Sequence, residues 1–393
     1  MIRRSALVIA SAALLAGCSS TVDGTPVADP SGLPKPETGS YATAPRTIAP
    51  SSQSDGEALE GYRMAATVPY LHEIDQTMHF RGRLRTGART SIQLGVKNLF
   101  GQSVADAVAA KSEAWISVRA GDKAQGAKYD PKNKERSVIV AVLRTASPAD
   151  AAAAVGPALR TVDKDSSGKD ETAKVETRIP GYDAAVAYTQ TDQYSGTATI
   201  AFTAYKQYVI GVTGNFSVDQ IRAYFDRQTK ALDGFQPTPV DKMSTLQRDA
   251  DGIAKLTLAP SKGDGGFTLP VRSAVLNQTD VARSVKTFAD AGVDVIASGG
   301  SGVYRAKDAA GAKHVVDEFA AENRAAFTKV EEEKVKGAPG AVCLTYPIYD
   351  GATSKITWCA VPVGRYVAEF SSPQRQEALQ GIGAAYTILK SNT

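Results

Sequence analysis

Three observations predict an α+β fold for this chain, with two related domains whose mainly antiparallel sheets are covered by amphipathic helices. An order of strands and helices occurs twice, two late cysteines fall in register on one hairpin, and a Pro/Ser/Thr-rich stretch divides the folding part from an apolar N-terminal segment. The 393 residues are long for one core, and two ordinary domains remain once the N-terminal segments are set aside. Apolar residues make up 43% and aromatics 7%, the composition of a globular body.

Residues 1–17 have the three parts of an export signal: Arg3 and Arg4, an apolar run from Ala6 to Leu15, and the small residues Ala16 and Gly17. The run is far short of the roughly 20 residues of a spanning helix. Leu15-Ala16-Gly17-Cys18 resembles the bacterial lipobox, in which the cysteine receives diacylglycerol before cleavage and the new amino terminus is usually acylated as well. Arg3-Arg4-Ser5-Ala6 lacks the fuller twin-arginine consensus, which favours the general secretory route. Acylated Cys18 would hold the protein on the outer face of the cytoplasmic membrane, in the cell envelope. Residues 18–56 are rich in Ser, Thr, Gly and Pro and read as a disordered tether, about 35 Å long as a coil and up to ~120 Å if extended.

The first domain is expected over 57–240. In it Ser137 to Leu143 is a strand, Ser147-Pro148 opens a helix, and Ile179-Pro180-Gly181 introduces the strand Ala184 to Thr189. A long hairpin follows through Thr197 to Phe202 and Tyr208 to Val212, and Ser217 with Gln220 forms a capping box for a helix. The second domain, 241–393, has the same order. Its strand is Val303 to Ala306, its helix Ala309 to Phe327, and Ala338-Pro339-Gly340 introduces Val342 to Tyr346. The hairpin Ile356 to Val361 and Tyr366 to Phe370 leads to a last helix from Ser372-Pro373. A further helix and strand precede each unit: Ser103 to Glu113 with Trp115 to Val118, and Thr279 to Ala291 with Val293 to Ala297, the latter helix ending at Gly292. Ile221, Tyr224, Phe225 and Leu232 form one apolar stripe, and Leu379, Ile382, Tyr386 and Leu389 another. Duplication and chance similarity of two α+β halves both remain open.

With Cys18 committed to lipid, Cys343 and Cys359 remain as a pair in an oxidising compartment, and a disulfide is expected. If Cys343 faces Cys359, Leu344 faces Trp358 and Tyr346 faces Ile356, so one register puts the cysteines on one face and the bulky residues on the other.

The lipobox, the tether, Tyr41-Ala42-Thr43-Ala44-Pro45-Arg46, Leu59-Glu60-Gly61-Tyr62-Arg63-Met64-Ala65 and Glu73-Ile74-Asp75 together resemble a family of large lipoproteins from Mycobacterium, Nocardia and Rhodococcus relatives. The resemblance covers nearly the whole chain. It implies two tandem domains of unknown function with a C-terminal cysteine hairpin, and it carries over no catalytic residue.

Few catalytic constellations are available to only three histidines. His314 lies opposite the apolar stripe of its helix. His72, Glu73, Asp75 and His79 are the nearest thing to a metal cluster, but they lack the i, i+4 imidazole pair of a helical zinc site. Gly299-Gly300-Ser301-Gly302 has neither the Lys-Ser/Thr of a phosphate loop nor the second glycine of a nucleophile elbow, and reads as a hairpin turn. Glu331-Glu332-Glu333 reads as a solvated helix end. The formal charge of +4, reduced to +2 when Arg3 and Arg4 leave, gives no case for nucleic acid. No catalytic, cofactor-binding or metal residue is assigned, and no cofactor is expected. The expectation is a lipid-anchored envelope protein that binds or scaffolds, with a lipid or cell-wall ligand. The alternative is an envelope hydrolase acting on wall glycan or ester lipid through paired carboxylates or an activated serine.

Overall fold

The computed structural model describes residues 34–128, 130–164, 167–192, 196–261 and 265–392. The export signal, Cys18 and the tether as far as residue 33 lie outside the described residues. The first domain runs α1 (Gln53–Ala65), β1 (Phe80–Gly87), α2 (Arg89–Phe100), α3 (Gln102–Val108), β2 (Ser112–Gly121), β3 (Ser137–Thr145), α4 (Pro148–Ala154), β4 (Val175–Thr177), β5 (Val186–Asp192), β6 (Gly196–Tyr205), β7 (Tyr208–Gly214) and α5 (Val218–Asp233). The second runs β8 (Phe267–Pro270), α6 (Val271–Ala274), α7 (Val281–Ala291), β9 (Val295–Ser298), β10 (Gly302–Arg305), α8 (Ala309–Ala326), β11 (Glu331–Glu333), β12 (Val342–Pro347), β13 (Lys355–Val363), β14 (Tyr366–Ser372) and α9 (Arg375–Lys390).

Each domain forms one seven-stranded sheet. Their orders are β1-β2-β3-β7-β6-β5-β4 and β8-β9-β10-β14-β13-β12-β11, so every strand of one has a counterpart at the same place in the other. The residue-level anchors of the repeat coincide too. Gly181 (φ 81°) and Gly340 (φ 79°) follow the equivalent prolines in a left-handed conformation that a β-carbon would oppose. All neighbouring strands are antiparallel, and helices cover both faces of each sheet.

In the first domain, Ile116, Val140 and Ile210 meet Met64 of α1 and Ile221, Tyr224 and Phe225 of α5. On the reverse, Trp115, Leu143 and Phe202 meet Ile92 and Val96 of α2 and Val104 of α3. In the second domain, α9 packs Ile382 and Leu389 over Val303, Val361 and the two cysteines. Phe288 of α7 and Phe319 of α8 cover Tyr304, Leu344 and Trp358 on the other face.

The predicted hairpin register is observed: Cys343 faces Cys359, Leu344 faces Trp358 and Tyr346 faces Ile356. The cysteines are bonded, with Cα atoms 4.0 Å apart, and both are fully buried. The capping box at Ser217 and Gln220 and the left-handed stop at Gly292 are also present.

Three expectations are corrected. The tether does not extend to residue 56. Its described part lies on the second domain, because its few large side chains find partners there: Tyr41 packs edge-on against Phe370 at 5.7 Å and donates to Glu377 at 3.1 Å, and Arg46 donates to Thr257 at 3.0 Å. Ser52 then caps α1. The expected helix Ser103 to Glu113 stops at Val108, since Ser112 already joins β2 as the partner of Thr145. Glu331 to Glu333 is the edge strand β11 and not a helix end. Lys355, Arg324 and Arg375 pair with the three carboxylates in turn, which offsets their mutual repulsion in extended backbone.

Replacing both cysteines, Cys343→Ala with Cys359→Ala, is expected to lower the unfolding free energy by roughly 2–4 kcal/mol. Urea denaturation of the pair of proteins measures it, and an unchanged midpoint would show that the hairpin is held by its ladder alone.

Candidate functional site

The site arises where the second domain meets the free edge of the first sheet. The segment between α6 and α7 runs along β1: the Arg81 amide donates to the Thr279 carbonyl at 2.7 Å, and the Val281 amide to the His79 carbonyl at 2.8 Å. The Leu84 amide donates to Asn277 Oδ1 at 3.3 Å. Gly82 permits this approach, since a β-carbon there would stand 2.6 Å from the Gln278 carbonyl oxygen. Gln278 and Thr279 are thereby placed between the domains.

Three recesses surround that segment. The outer one, about 750 Å³, is walled by Arg83, Arg119, Lys123 and Gln125 of the first domain and by Ile348 and Tyr349 of the second. An inner one of about 220 Å³ is lined by Gln278, Glu322, Asn323, Trp358 and Glu369. Another of about 280 Å³ is lined by Tyr62, Asn277, Gln278, Tyr304 and Glu369. Gln125 and Ile348 line both of the first two, and Gln278, Thr279 and Glu369 line both of the last two.

Two carboxylates face the 220 Å³ recess from different elements. Glu369, on β14, accepts from the Trp358 indole at 2.6 Å through one oxygen and from the Tyr304 hydroxyl through the other. Glu322, on α8, is partly buried, and its carboxyl is pushed up to about 7, first by loss of water and then by the charges of Asp280 and Glu369, against the pull of Arg283. Burial and the neighbouring Glu369 likewise push the Tyr304 phenol well above its usual range, so it stays a donor. Asn323 accepts from Tyr346 at 2.8 Å, which fixes its amide at the recess wall.

The residues singled out by sequence fall elsewhere. Asp75 is held below the ordinary carboxylate range: burial opposes this, but bonds from Thr77, Gln220 and Arg136 prevail. Glu73 pairs with Arg227 at 3.1 Å, His79 with Asp280 at 3.0 Å, and His72 stacks on Tyr70, its imidazole pushed down by burial. These four side chains do not converge, and among the described residues no group of three or more His, Cys, Asp or Glu could hold a metal ion. His314 is half-buried on α8. Gly299 to Gly302 makes the β9–β10 turn, where the Ser301 hydroxyl accepts from the Leu258 amide at 2.9 Å. A buried serine–lysine contact does exist, Lys174 Nζ to Ser103 Oγ at 3.0 Å. That ammonium also donates to the Leu159 carbonyl and lies 3.7 Å from Asp163; burial pushes its pKa down, against the pull of Asp163.

Glu322 and Glu369 went unnoticed in the sequence because nothing local marks them. They are single acidic residues on a helix and a strand, brought to one recess only by the packing of α8 on the sheet.

Because Glu322 binds its proton more tightly in the folded than in the unfolded chain, its contribution to stability is full below about pH 4.5 and is lost as the pH rises through about 7. Glu322→Gln is therefore expected to be more stable than the parent at pH 8, by roughly 1–2 kcal/mol after allowance for partial exposure, with the difference closing at pH 5. Melting curves at the two pH values measure this, and a constant difference would place the effect outside Glu322 ionisation.

Among solved structures, the extracellular domain of PknH from Mycobacterium tuberculosis is similar to part of the chain: 11% identity over 48% of this chain and 100% of that one, with a TM-score of 0.28. That score is too low to support a structural comparison. No curated protein matches the chain. No described helix is long and apolar enough to cross a membrane. The N-terminal domain of the DUF7373 family, a domain of unknown function, matches residues 47–248 and its C-terminal domain matches residues 259–392; the chain belongs to that family.

Proposed function

We propose that this is a lipid-anchored protein of the cell envelope that binds a ligand in the cleft between its two domains and does not transform it. The carrying observation is that both domains wall the outer recess, which shares lining residues with the two inner ones. Neither domain alone completes such a site, and junctions between domains are where pockets concentrate. The export signal and Leu15-Ala16-Gly17-Cys18 support the address. Carriage of an acyl chain is disfavoured, because Gln278 and Glu369 stand at the walls of both inner recesses, with Glu322 and Asn323 in one of them, while the interfaces between helix and sheet are filled by the cores.

One observation favours a second reading, hydrolysis of wall glycan. Glu322 and Glu369 line one recess in environments that differ, as an acid and a base require. Binding is preferred because both oxygens of Glu369 are already engaged by Trp358 and Tyr304.

Native mass spectrometry of the protein purified without its anchor tests the main reading. A co-purifying mass is expected, and it should be lost from Gln125→Trp, which fills the passage at an exposed position. A bare protein under all conditions would count against binding. Release of reducing ends from wall glycan, abolished in Glu322→Gln, would replace binding by hydrolysis. Cys18→Ala is expected to shift the protein from the membrane fraction to the soluble fraction.

A further inference from the structure

The outer recess carries an excess of positive charge. Arg81, Arg83, Arg119, Lys123 and Lys128 line it, against the two carboxylates Asp130 and Glu135. Glu135 is already divided between Arg81 at 3.2 Å and Arg119 at 3.1 Å. Among the described residues Arg83 and Lys128 meet no carboxylate, and both are exposed. Lys123 is spent on the Asn133 carbonyl, which ties down the far side of the β2–β3 loop.

Arg81 is fixed from both ends. Its φ of 55° lies in the left-handed region, which a non-glycine residue adopts only where its surroundings hold it there. The Thr279 carbonyl holds its amide, and the Ala124 and Gln125 carbonyls hold its guanidinium. The backbone that carries Arg83 and the loop that carries Lys128 are therefore tied to one another through Arg81. Cations gathered in a concave, low-dielectric wall concentrate the local potential, and guanidinium forks match phosphate oxygens. Across the recess stand Ile348 and Tyr349, 42% and 50% exposed, offering an apolar wall and a phenol. Gln125, Asn133 and Asn277 add amides suited to hydroxyl groups.

We propose that the outer recess binds the phosphate of a phosphorylated polyol, with Arg83 and Lys128 as the cations left for it and the amides taking the hydroxyls. This rests on the cleft-binding reading and names its ligand class. The same phosphate ester occurs in a phospholipid headgroup and in a soluble or wall-bound polyol.

The test uses the chain from residue 18 with Cys18→Ser, so that no acyl group contributes. Glycerol 3-phosphate is titrated by calorimetry. Vesicles of phosphatidylcholine, with and without phosphatidylglycerol, are sedimented with the protein. Binding of either phosphate-bearing probe is expected, and Arg83→Glu with Lys128→Glu should weaken it at least tenfold, as should a rise in salt from about 0.05 to about 0.5 M. Sedimentation only with phosphatidylglycerol assigns the phosphate to a lipid headgroup. Binding of glycerol 3-phosphate alone assigns it to a soluble or wall polyol. No binding of either probe, or equal binding by the folded double variant, overturns the proposal. A neutral co-purifying ligand lost from Gln125→Trp but kept by the double variant would overturn the phosphate assignment while leaving the cleft as a binding site.

Discussion

The pairing of β1 with the segment from Asn277 to Val281 is the constraint on which the arrangement of the body rests. An edge strand with an open row of amides and carbonyls is a hazard in any sheet. Here the Arg81 and Val281 amides close part of that row onto the second domain, and Gly82 allows the backbones to meet. The same contact shapes the recesses. It stands Gln278 and Thr279 between the sheets, so the recesses form around them and not within either core.

A buried charge network holds α1 in its place on the first domain. Glu60 on α1 is fully buried and is matched by Arg144 at 3.0 Å, by Arg63, and by the Thr238 amide at 2.9 Å and hydroxyl at 2.8 Å. Removing one partner from such a network leaves an uncompensated charge, at a cost of several kcal/mol, although the complete network contributes little net stability. Its value is placement. It ties α1 to β3 and to the chain leaving the first domain, while the Ser273 hydroxyl donates to the Tyr62 carbonyl and Arg272 stacks over Tyr70, where α1 and the turn after it face α6. The N-terminal segment adds a third tie, since it crosses α9 and β14 before α1 begins.

The equivalence of the two sheets does not extend to the side chains around the recesses. Strand order is the same, and the prolyl-glycine turns are matched. The chemistry is not. Glu322 and Glu369 belong to the second domain, whereas the cations of the outer recess belong to the first. The site is therefore a product of how the two halves dock.

Local patterning in the sequence determined the parts whose energetics are local or periodic. Alternation placed Cys343 opposite Cys359, helical spacing found the buried stripe of α5, and Ser217, Gln220 and Gly292 marked helix ends, because each depends on residues a few positions apart. The same reasoning missed β1, the packing of Tyr41 and the strand β11. Their conformations are fixed by partners outside the local window: β2 for β1, Phe370 with Glu377 for Tyr41, and β12 for β11. The recesses were decided by tertiary structure alone. A raised carboxyl at Glu322 requires burial and the nearby charges of Asp280 and Glu369, and a cationic wall requires β1, β2 and their loop to stand opposite Ile348 and Tyr349. No sequence spacing encodes either, since the first comes from distances set by the packing of α8 on its sheet and the second from distances set by the docking of the two domains.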